Sequence, residues 1–336
     1  MTASAGVLGR VENGTGATLE VGPGSSTVTG ALVQNGTVRL DASTGNATLT
    51  LSQSYTNAGT FEFTGSGFTA QHTLSSGTLL NSGTIRVVNG AHAMSAQLTN
   101  TGTLRLEGGN FTLTPTTTFT TTSGTIEVGA GRTLTTSGGT VVAGSGTTLQ
   151  GTGIIDLAGT TTLSLSSSLT LPSAGPQWTF GGTVTVSGAG TLINRNTLTL
   201  TADVLNGPVS NETTGTLIVG AGTSSLNGAL TQAGMLRVRG GSSAAALTVA
   251  SGFTNSGTIE LTNDVNGANA TLTVSTGSLV NATGSSISVL TGAGSGSRTL
   301  GGTLDHRGTL TVNRPLTLTG ALVEPTGTTA TVTGNG

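Results

Sequence analysis

A seven-residue motif recurs along the chain and constrains its fold more than any other feature. The motif consists of a polar residue, a spacer, glycine, threonine and then two apolar residues around a variable one. It reads NAGTFEF from Asn57, NSGTIRV from Asn81, NTGTLRL from Asn100 and NSGTIEL from Asn255. The motif glycines at positions 36, 59, 83, 102 and 124 recur with a period of about 19–24 residues, which is typical of a solenoid.

Three short strands fit within one period. A second strand, such as NFTLT from Asn110, follows the motif, and a third strand, such as AQLTN, precedes the next glycine. Within the motif Leu104 and Leu106 share one strand face, whereas Thr103 and Arg105 share the other. The sequence therefore predicts an all-β chain that forms a single-stranded parallel β-helix (β-solenoid), with about 19–24 residues per three-strand coil. Leucine, isoleucine, valine and phenylalanine would stack inside it.

Uniform composition favours a single elongated β-helix over residues 1–336. The chain has 56 glycines, yet its regularly placed apolar residues argue against disorder. The repeat spacing loosens at about 115–191, where LPSAGPQWTFGG contains two prolines and the only tryptophan, and irregular coils are expected there. The first residues, MTASAGVLGRVENG, lack the pattern of a secretion signal, so we expect the chain to be a section of a longer protein or to be exported by another route.

The polar residue and the glycine of the motif fall at the corner between the third strand and the next first strand. Asn57, Asn81, Asn100 and Asn255 lie two positions before the glycine, on the inward parity of the third strand. Asparagine tolerates the left-handed backbone conformation and can form an amide ladder between stacked coils. Glycine would supply a second unusual dihedral angle. We therefore expect these four asparagines to form a structural corner ladder.

The variable position of the motif is often arginine or glutamate. If successive coils stack at strand spacing, Arg39 lies near Glu62 and Arg105 lies near Glu127. Exposed pairs of this kind contribute only ~0–1 kcal/mol each. We interpret them as residues that fix the register of the coils, in preference to a binding stripe.

Composition argues against several classes of function. Only 7% of residues are charged and the net charge is -2, so nucleic acid is not an expected partner. The chain has no cysteine, and His72, His92 and His306 are far apart in sequence, so neither a metal nor a cofactor is expected. No apolar stretch approaches the ~20 residues of a transmembrane segment, so none is expected.

The ionisable residues form no evident catalytic group. Asp156, Asp203, Asp264 and Asp305 are scattered, and we expect that the protein is not an enzyme. Carboxylates could still meet between coils at the ~5–9.5 Å that glycoside hydrolysis needs, which leaves a polysaccharide-binding or polysaccharide-cleaving β-helix open as an alternative. We interpret the segment DHR, residues 305–307, as a solvated corner in which His306 takes the place of asparagine.

The outward residues of the second strand offer a candidate ligand face. Thr112 with Thr114, and Thr271 with Thr273, form Thr-x-Thr pairs that resemble the ice-binding surface of β-solenoid antifreeze proteins. Threonine also favours strands without any ligand, so ice binding is a weaker alternative. Trp178 could stack on a sugar ring from an exposed loop, or it could fill a gap over the core, which is the favoured interpretation.

The units NSGTIRV, NTGTLRL and NSGTIEL, with ATLTV strands between them, resemble the β-strand repeats of bacterial autotransporter passengers and filamentous-hemagglutinin-type adhesins. The resemblance covers nearly the whole chain. It implies a right-handed parallel β-helix that is extracellular or at the cell surface. It implies no catalytic or binding residues, because such repeats specify a scaffold and not a ligand.

We therefore expect a non-enzymatic extracellular scaffold with a structural or adhesive role, such as a surface stalk or a biofilm or matrix component. Its partners would be cell-surface or matrix polymers, either carbohydrate or protein. An uncapped solenoid also exposes strand edges, so copies could associate end to end.

Overall fold

The computed structural model describes residues 2–3, 5–325 and 331–333. Across these ranges the chain is all-β, and its parallel strands stack in coils that form a β-solenoid of about 13 turns. The predicted fold class is therefore confirmed. The described ranges contain no helix, and therefore no helix that is long and apolar enough to cross a bilayer.

The chain divides into two compact units. Unit 1 comprises Met1–Ser166 together with Ala174–Gln177, and unit 2 comprises Ser167–Ser173 together with Trp178–Gly336. Each unit contains repeated coils of three strands. That residues 1–336 form one body stays a prediction.

The first twenty strands are β1 Thr2–Ala3, β2 Gly6–Leu8, β3 Val11–Asn13, β4 Thr18–Val21, β5 Gly24–Val28, β6 Leu32–Gln34, β7 Thr37–Asp41, β8 Ala47–Leu51, β9 Tyr55–Asn57, β10 Thr60–Thr64, β11 Ala70–Asn81, β12 Thr84–Val87, β13 Gly90–Asn100, β14 Thr103–Leu106, β15 Gly109–Thr114, β16 Thr118–Thr120, β17 Thr125–Val128, β18 Thr133–Ala143, β19 Thr148–Gln150 and β20 Ile154–Leu165.

The remaining described strands are β21 Leu169–Leu171, β22 Gln177–Phe180, β23 Thr183–Gly188, β24 Leu192–Asn194, β25 Thr197–Leu200, β26 Val204–Leu205, β27 Val209–Asn211, β28 Thr216–Val219, β29 Gly222–Leu226, β30 Leu230–Gln232, β31 Met235–Gly240, β32 Ala245–Asn255, β33 Thr258–Asn263, β34 Ala270–Asn281, β35 Ser286–Val289, β36 Arg298–His306, β37 Thr309–Val312, β38 Leu316–Leu318, β39 Leu322–Val323 and β40 Thr331–Thr333.

The first strands of the coils in unit 1 form one parallel sheet with the motif in register. The sheet order is β1-β4-β7-β10-β12-β14-β17-β19. Val38 pairs with Phe61, and Phe61 pairs with Ile85, so the strand partners are separated by the same intervals as the motif glycines. The buried central residues of these strands stack in one file: Leu19, Val38, Phe61, Ile85, Leu104, Ile126 and Leu149.

The second and third strands of a coil often merge into one long strand. β11 pairs with β13 along most of its length, with a register shift between Thr73 and Thr78 where the corner lies. β18 pairs with β20 in the same way, with a shift between Ser137 and Gly139. The latter two strands fall within 115–191, where irregular coils were predicted.

Unit 2 repeats this arrangement with first strands β25, β28, β31, β33, β35 and β37. Leu217 pairs with Leu236, and Leu236 pairs with Ile259, so these two coils have the predicted length. The next coil, in which Ile259 pairs with Ile287, is longer than predicted. Its extra length includes the segment 264–269 between the first and second strands of that coil.

Strand alternation places the apolar side chains inside the coils. Leu104 and Leu106 are fully buried, whereas Arg105 is exposed. Side chains buried in this way contribute ~1.5–3 kcal/mol each to folding. Aromatic rings also pack inside unit 1, with the Phe63 ring centroid 5.2 Å from that of Phe61 and 4.9 Å from that of Phe111.

Candidate functional site

A file of buried polar side chains runs along the corner between the third and first strands, and we call it the amide ladder. In unit 1 its rungs are at most 4% exposed and stand in register from coil to coil. Each rung is the last inward residue of a third strand before the chain turns. The rungs are Asn13, Gln34, Asn57, Asn81 and Asn100.

The asparagine rungs join consecutive coils through side-chain hydrogen bonds. Asn57 Nδ2 donates to Asn81 Oδ1 at 2.7 Å, and Asn81 Nδ2 donates to Asn100 Oδ1 at 2.6 Å. The same nitrogen of Asn81 also donates to the carbonyl oxygen of Thr103 at 3.1 Å. One asparagine therefore bonds both the third-strand rung and the first strand of the following coil. Such bonds satisfy polar groups that water does not reach.

Unit 2 contains a second ladder, whose rungs are at most 1% exposed. Asn255 Nδ2 donates to Asn281 Oδ1 at 2.9 Å, and Asn281 Nδ2 lies 3.2 Å from His306 Nδ1. The rungs are Asn194, Asn211, Gln232, Asn255, Asn281 and His306.

His306 thus takes the position that asparagine holds in other coils, as predicted. It is fully buried, however, so the prediction of a solvated corner is wrong for this residue. Its neighbours Asp305 and Arg307 are partly exposed and form an ion pair at 2.6 Å. The hydrogen bond between them lowers the pKa of Asp305 and raises the pKa of Arg307.

The conformational reason that we predicted for the corner residues is wrong. Among the described non-glycine residues only Ala5 has a positive φ, so the ladder asparagines keep ordinary strand backbone. The motif glycines also lack a positive φ. Glycine is required at these corners because the coils approach closely: a Cβ atom on Gly59 would lie 2.0 Å from the carbonyl oxygen of Gly36.

Outward charges on the first strands of unit 1 form connected ion pairs. Arg39 Nε lies 2.7 Å from one carboxylate oxygen of Glu62, and Arg86 Nη1 lies 3.2 Å from the other. Arg105 Nε lies 3.3 Å from Glu127, so both predicted pairs are present. Glu62 is only 7% exposed, and its two guanidinium partners offset the cost of removing its charge from water.

The Thr-x-Thr pairs of the second strand point outward but do not form a continuous two-file array. Thr112 and Thr114 are exposed, whereas Thr271 and Thr273 are partly buried. Register partners without a hydroxyl group interrupt the array: Ala93 beside Thr112, Ala246 beside Thr271, and Gly301 beside Thr273.

A longer threonine file lies on the first strands of unit 1, where we did not predict it. It is formed by the threonine of the motif, whose backbone carbonyl accepts hydrogen bonds from the amide ladder. The regular position of this threonine within the motif was the sequence signal for the file. Its members are Thr18, Thr37, Thr60, Thr84, Thr103, Thr125 and Thr148.

Trp178 lies in the core and not on an exposed loop. It belongs to β22, is 3% exposed and pairs in register with Leu198. Strand alternation turns Trp178 and Phe180 inward together. The sugar-stacking interpretation is therefore wrong, because the indole ring is not accessible from solvent.

His72 is buried inside unit 1 as part of a polar pair. Its Nε2 lies 2.9 Å from Tyr55 Oη, and its Nδ1 lies 3.1 Å from the carbonyl oxygen of Leu49. A neutral imidazole that donates from Nδ1 and accepts at Nε2 satisfies both contacts. Burial lowers the pKa of His72 to about 4 and raises the pKa of Tyr55 well above its ordinary value. The imidazole is therefore neutral near pH 7.

Three of the four carboxylates that we considered for catalysis, those of Asp203, Asp264 and Asp305, make separate local contacts. Asp203 is fully buried and accepts hydrogen bonds from the backbone N–H groups of Val184 at 2.9 Å and Thr201 at 2.8 Å. Burial raises the pKa of Asp203 to about 6, although these backbone bonds lower it. Asp264 pairs with Arg239 at 3.2 Å. Within the described ranges, no three acidic or histidine side chains are grouped so that they could hold a metal ion.

Arg298 is a buried cation that the sequence did not indicate. Its Nη2 donates to Asn263 Oδ1 at 2.7 Å, and its Nη1 donates to the carbonyl oxygen of Gly296 at 3.1 Å. Asn263 Nδ2 in turn donates to the carbonyl oxygen of Ser295 at 2.7 Å. Arg298 and Asn263 thereby fasten the longer loops of two consecutive coils to each other.

Comparison with protein-family models, curated proteins and solved structures gave no significant match.

Proposed function

We propose that this protein is a non-enzymatic scaffold with a structural or adhesive role outside the cell or at its surface. The observation that carries the proposal is that the recurring residues of the motif contact the neighbouring coil. Asn81 bonds to Asn100, Gly83 allows close approach to the preceding coil, and Arg39 pairs with Glu62. The repeated part of the sequence therefore serves the stacking of coils.

Adhesion by such a scaffold is distributed over many coils. The outward positions of its strands carry threonine, serine and paired charges, which offer modest polar contacts at every coil. Carbohydrate or protein polymers of the cell surface or matrix suit such a surface, because a polymer can contact several coils at once. We propose these polymers as the partners.

A binding assay tests the distributed character of this surface. The full chain is immobilised and titrated with matrix polysaccharides and with extracellular-matrix proteins. We expect Thr112→Ala to change the affinity for any bound polymer by less than about two-fold, because one contact among many is lost. Loss of binding by about ten-fold or more on this change would indicate one localised site and contradict the proposal.

Two further measurements test the remaining parts of the proposal. Antibody labelling and protease treatment of intact cells of the native source should reach the protein, and protection from both would contradict an extracellular location. A panel of acidic polysaccharides should remain uncleaved by the purified chain. Turnover that is lost on changing one carboxylate, such as Asp305→Asn, would show that the protein is an enzyme.

A further inference from the structure

Two coil interfaces, one in each unit, differ from their neighbours in the same ways, and we call them the seams. The seam of unit 1 lies between the coil that contains Gln34 and the coil that contains Asn57. The seam of unit 2 lies between the coils of Gln232 and Asn255. The residues that form the two seams match in sequence: LVQNGTVRL with YTNAGTFEF, and LTQAGMLRV with FTNSGTIEL.

The amide ladder is interrupted at the seam of unit 1. Gln34 Nε2 donates to the carbonyl oxygens of Gly36 at 2.9 Å and Thr60 at 3.1 Å, and not to Asn57. Asn57 Oδ1 is consequently buried without a hydrogen-bond partner. The additional methylene group of glutamine carries its amide past the position from which an asparagine would donate.

The seam of unit 2 has the same interruption. Gln232 Nε2 donates to the carbonyl oxygens of Gly234 at 2.8 Å and Thr258 at 3.4 Å. Asn255 Oδ1 accepts its hydrogen bond from the backbone N–H of Gly257 in its own coil, at 3.2 Å. At both seams, therefore, the rungs are not joined to each other by a bond between side-chain amides.

Backbone pairing between third strands is also reduced at both seams. β6 pairs with β9 only through Gln34 and Asn57, whereas β3 pairs with β6 through three residues. β30 pairs with β32 only through Gln232 and Asn255, whereas β27 pairs with β30 through three residues.

The inward residues two positions before the rungs are less completely buried at the seams than at an uninterrupted interface. At each seam a leucine of one coil faces an aromatic residue of the next: Leu32 faces Tyr55, and Leu230 faces Phe253. These four side chains are 5–8% exposed, whereas Leu98 at an uninterrupted interface is fully buried.

An ion pair crosses each seam where the bond between rungs is missing. Arg39 Nε lies 2.7 Å from Glu62 across the first seam, and Arg237 Nε lies 2.6 Å from Glu260 across the second. The uninterrupted interface between Asn81 and Asn100 is also crossed by an ion pair, because Arg86 Nη2 lies 2.8 Å from Glu107. Ion pairs therefore cross both kinds of interface, and the missing bond between rungs is what distinguishes the seams.

We propose that the two seams are conformational joints at which the third strands part before those of neighbouring interfaces. Local opening of this kind occurs first in the least stable parts of a fold. The inference goes beyond the proposed function, because it does not depend on what the outward faces bind.

Hydrogen exchange of the full chain tests the proposal at backbone amides whose hydrogen bonds cross the interfaces between coils at equivalent positions. The N–H groups of Ala58 and Ser256 donate across the seams to Gln34 and Gln232, at 2.9 and 2.8 Å. The N–H of Thr101 donates across an uninterrupted interface to Asn81 at 2.8 Å. We expect Ala58 and Ser256 to exchange at least about ten-fold faster than Thr101 after correction for intrinsic rates. Equal protection at the three amides would overturn the proposal.

Matched variants test whether the glutamine rung is the cause of the faster exchange. Gln34→Asn should slow exchange at Ala58 by roughly five-fold, and Asn81→Gln should accelerate exchange at Thr101 by a similar factor. Circular dichroism confirms folding of each variant, and Gln232→Asn with Ser256 as the reporter replaces any variant of unit 1 that does not fold. No change at Ala58 in folded Gln34→Asn would contradict the proposed role of the rung.

Discussion

Replacing Asn81 with alanine removes three side-chain hydrogen bonds of the amide ladder at once. These are the bonds that Asn81 accepts from Asn57 at 2.7 Å and donates to Asn100 at 2.6 Å and to the Thr103 carbonyl at 3.1 Å. Each buried bond contributes about 1 kcal/mol net, and a buried partner left unsatisfied costs about 1–3 kcal/mol. We therefore expect Asn81→Ala to lower the free energy of unfolding by about 3–5 kcal/mol.

The matched control is Asn35→Ala, which changes the same residue type at an exposed position beside the ladder. It should change stability by no more than about 0.5 kcal/mol. Urea unfolding followed by circular dichroism measures both variants, with the transition of unit 1 located by hydrogen exchange because repeat proteins need not unfold in two states. A loss below about 1 kcal/mol for Asn81→Ala, or equal losses for both variants, would refute the reasoning.

Three further predictions concern the corner, the core and the outward face. Gly59→Ala should destabilise the protein by about 3 kcal/mol in urea unfolding, because the new Cβ atom would lie 2.0 Å from the Gly36 carbonyl oxygen. Gly14→Ala, whose new Cβ atom meets no atom within 4 Å, should be nearly neutral in the same assay. Burial lowers the pKa of His72 from its ordinary 6.5 to about 4. The contribution of His72 to stability is therefore complete above pH 6.5 and is lost as the pH falls toward 4, by up to about 3 kcal/mol. His72→Gln should flatten the dependence of the unfolding free energy on pH in that window, and an unchanged slope would contradict this. Thr112→Tyr should leave stability within about 0.5 kcal/mol, and the unchanged chain should show no thermal hysteresis in ice-growth assays; hysteresis that Thr112→Tyr abolishes would favour ice binding.

The fold was predictable because the repeat specifies it at several positions per coil. Alternation at Leu104 and Leu106 identified the inward face, and the interval between motif glycines gave the length of most coils. The inward parity of Asn81 likewise predicted its position on the ladder. These features depend on local sequence, which repeats from coil to coil.

Other features could not be predicted because they depend on contacts between coils. The close approach at Gly59 became evident only from the position of the Gly36 carbonyl oxygen, and the sequence pointed instead to an unusual dihedral angle. Gln34 resembles an ordinary rung in sequence, yet its longer side chain bonds to backbone carbonyls and leaves Asn57 Oδ1 unpaired. Trp178 lies next to a proline-containing segment that suggested a loop, but strand alternation turns it inward.

A double-mutant cycle on two neighbouring rungs tests most directly whether side-chain amides hold the coils together. Asn81→Ala, Asn100→Ala and the double variant are compared in urea unfolding at one pH and salt concentration. The 2.6 Å bond between these side chains predicts a coupling free energy of about 1–2 kcal/mol, whereas Asn81 and the exposed Asn35 should be additive. Additivity of Asn81 and Asn100 within about 0.5 kcal/mol would contradict the account.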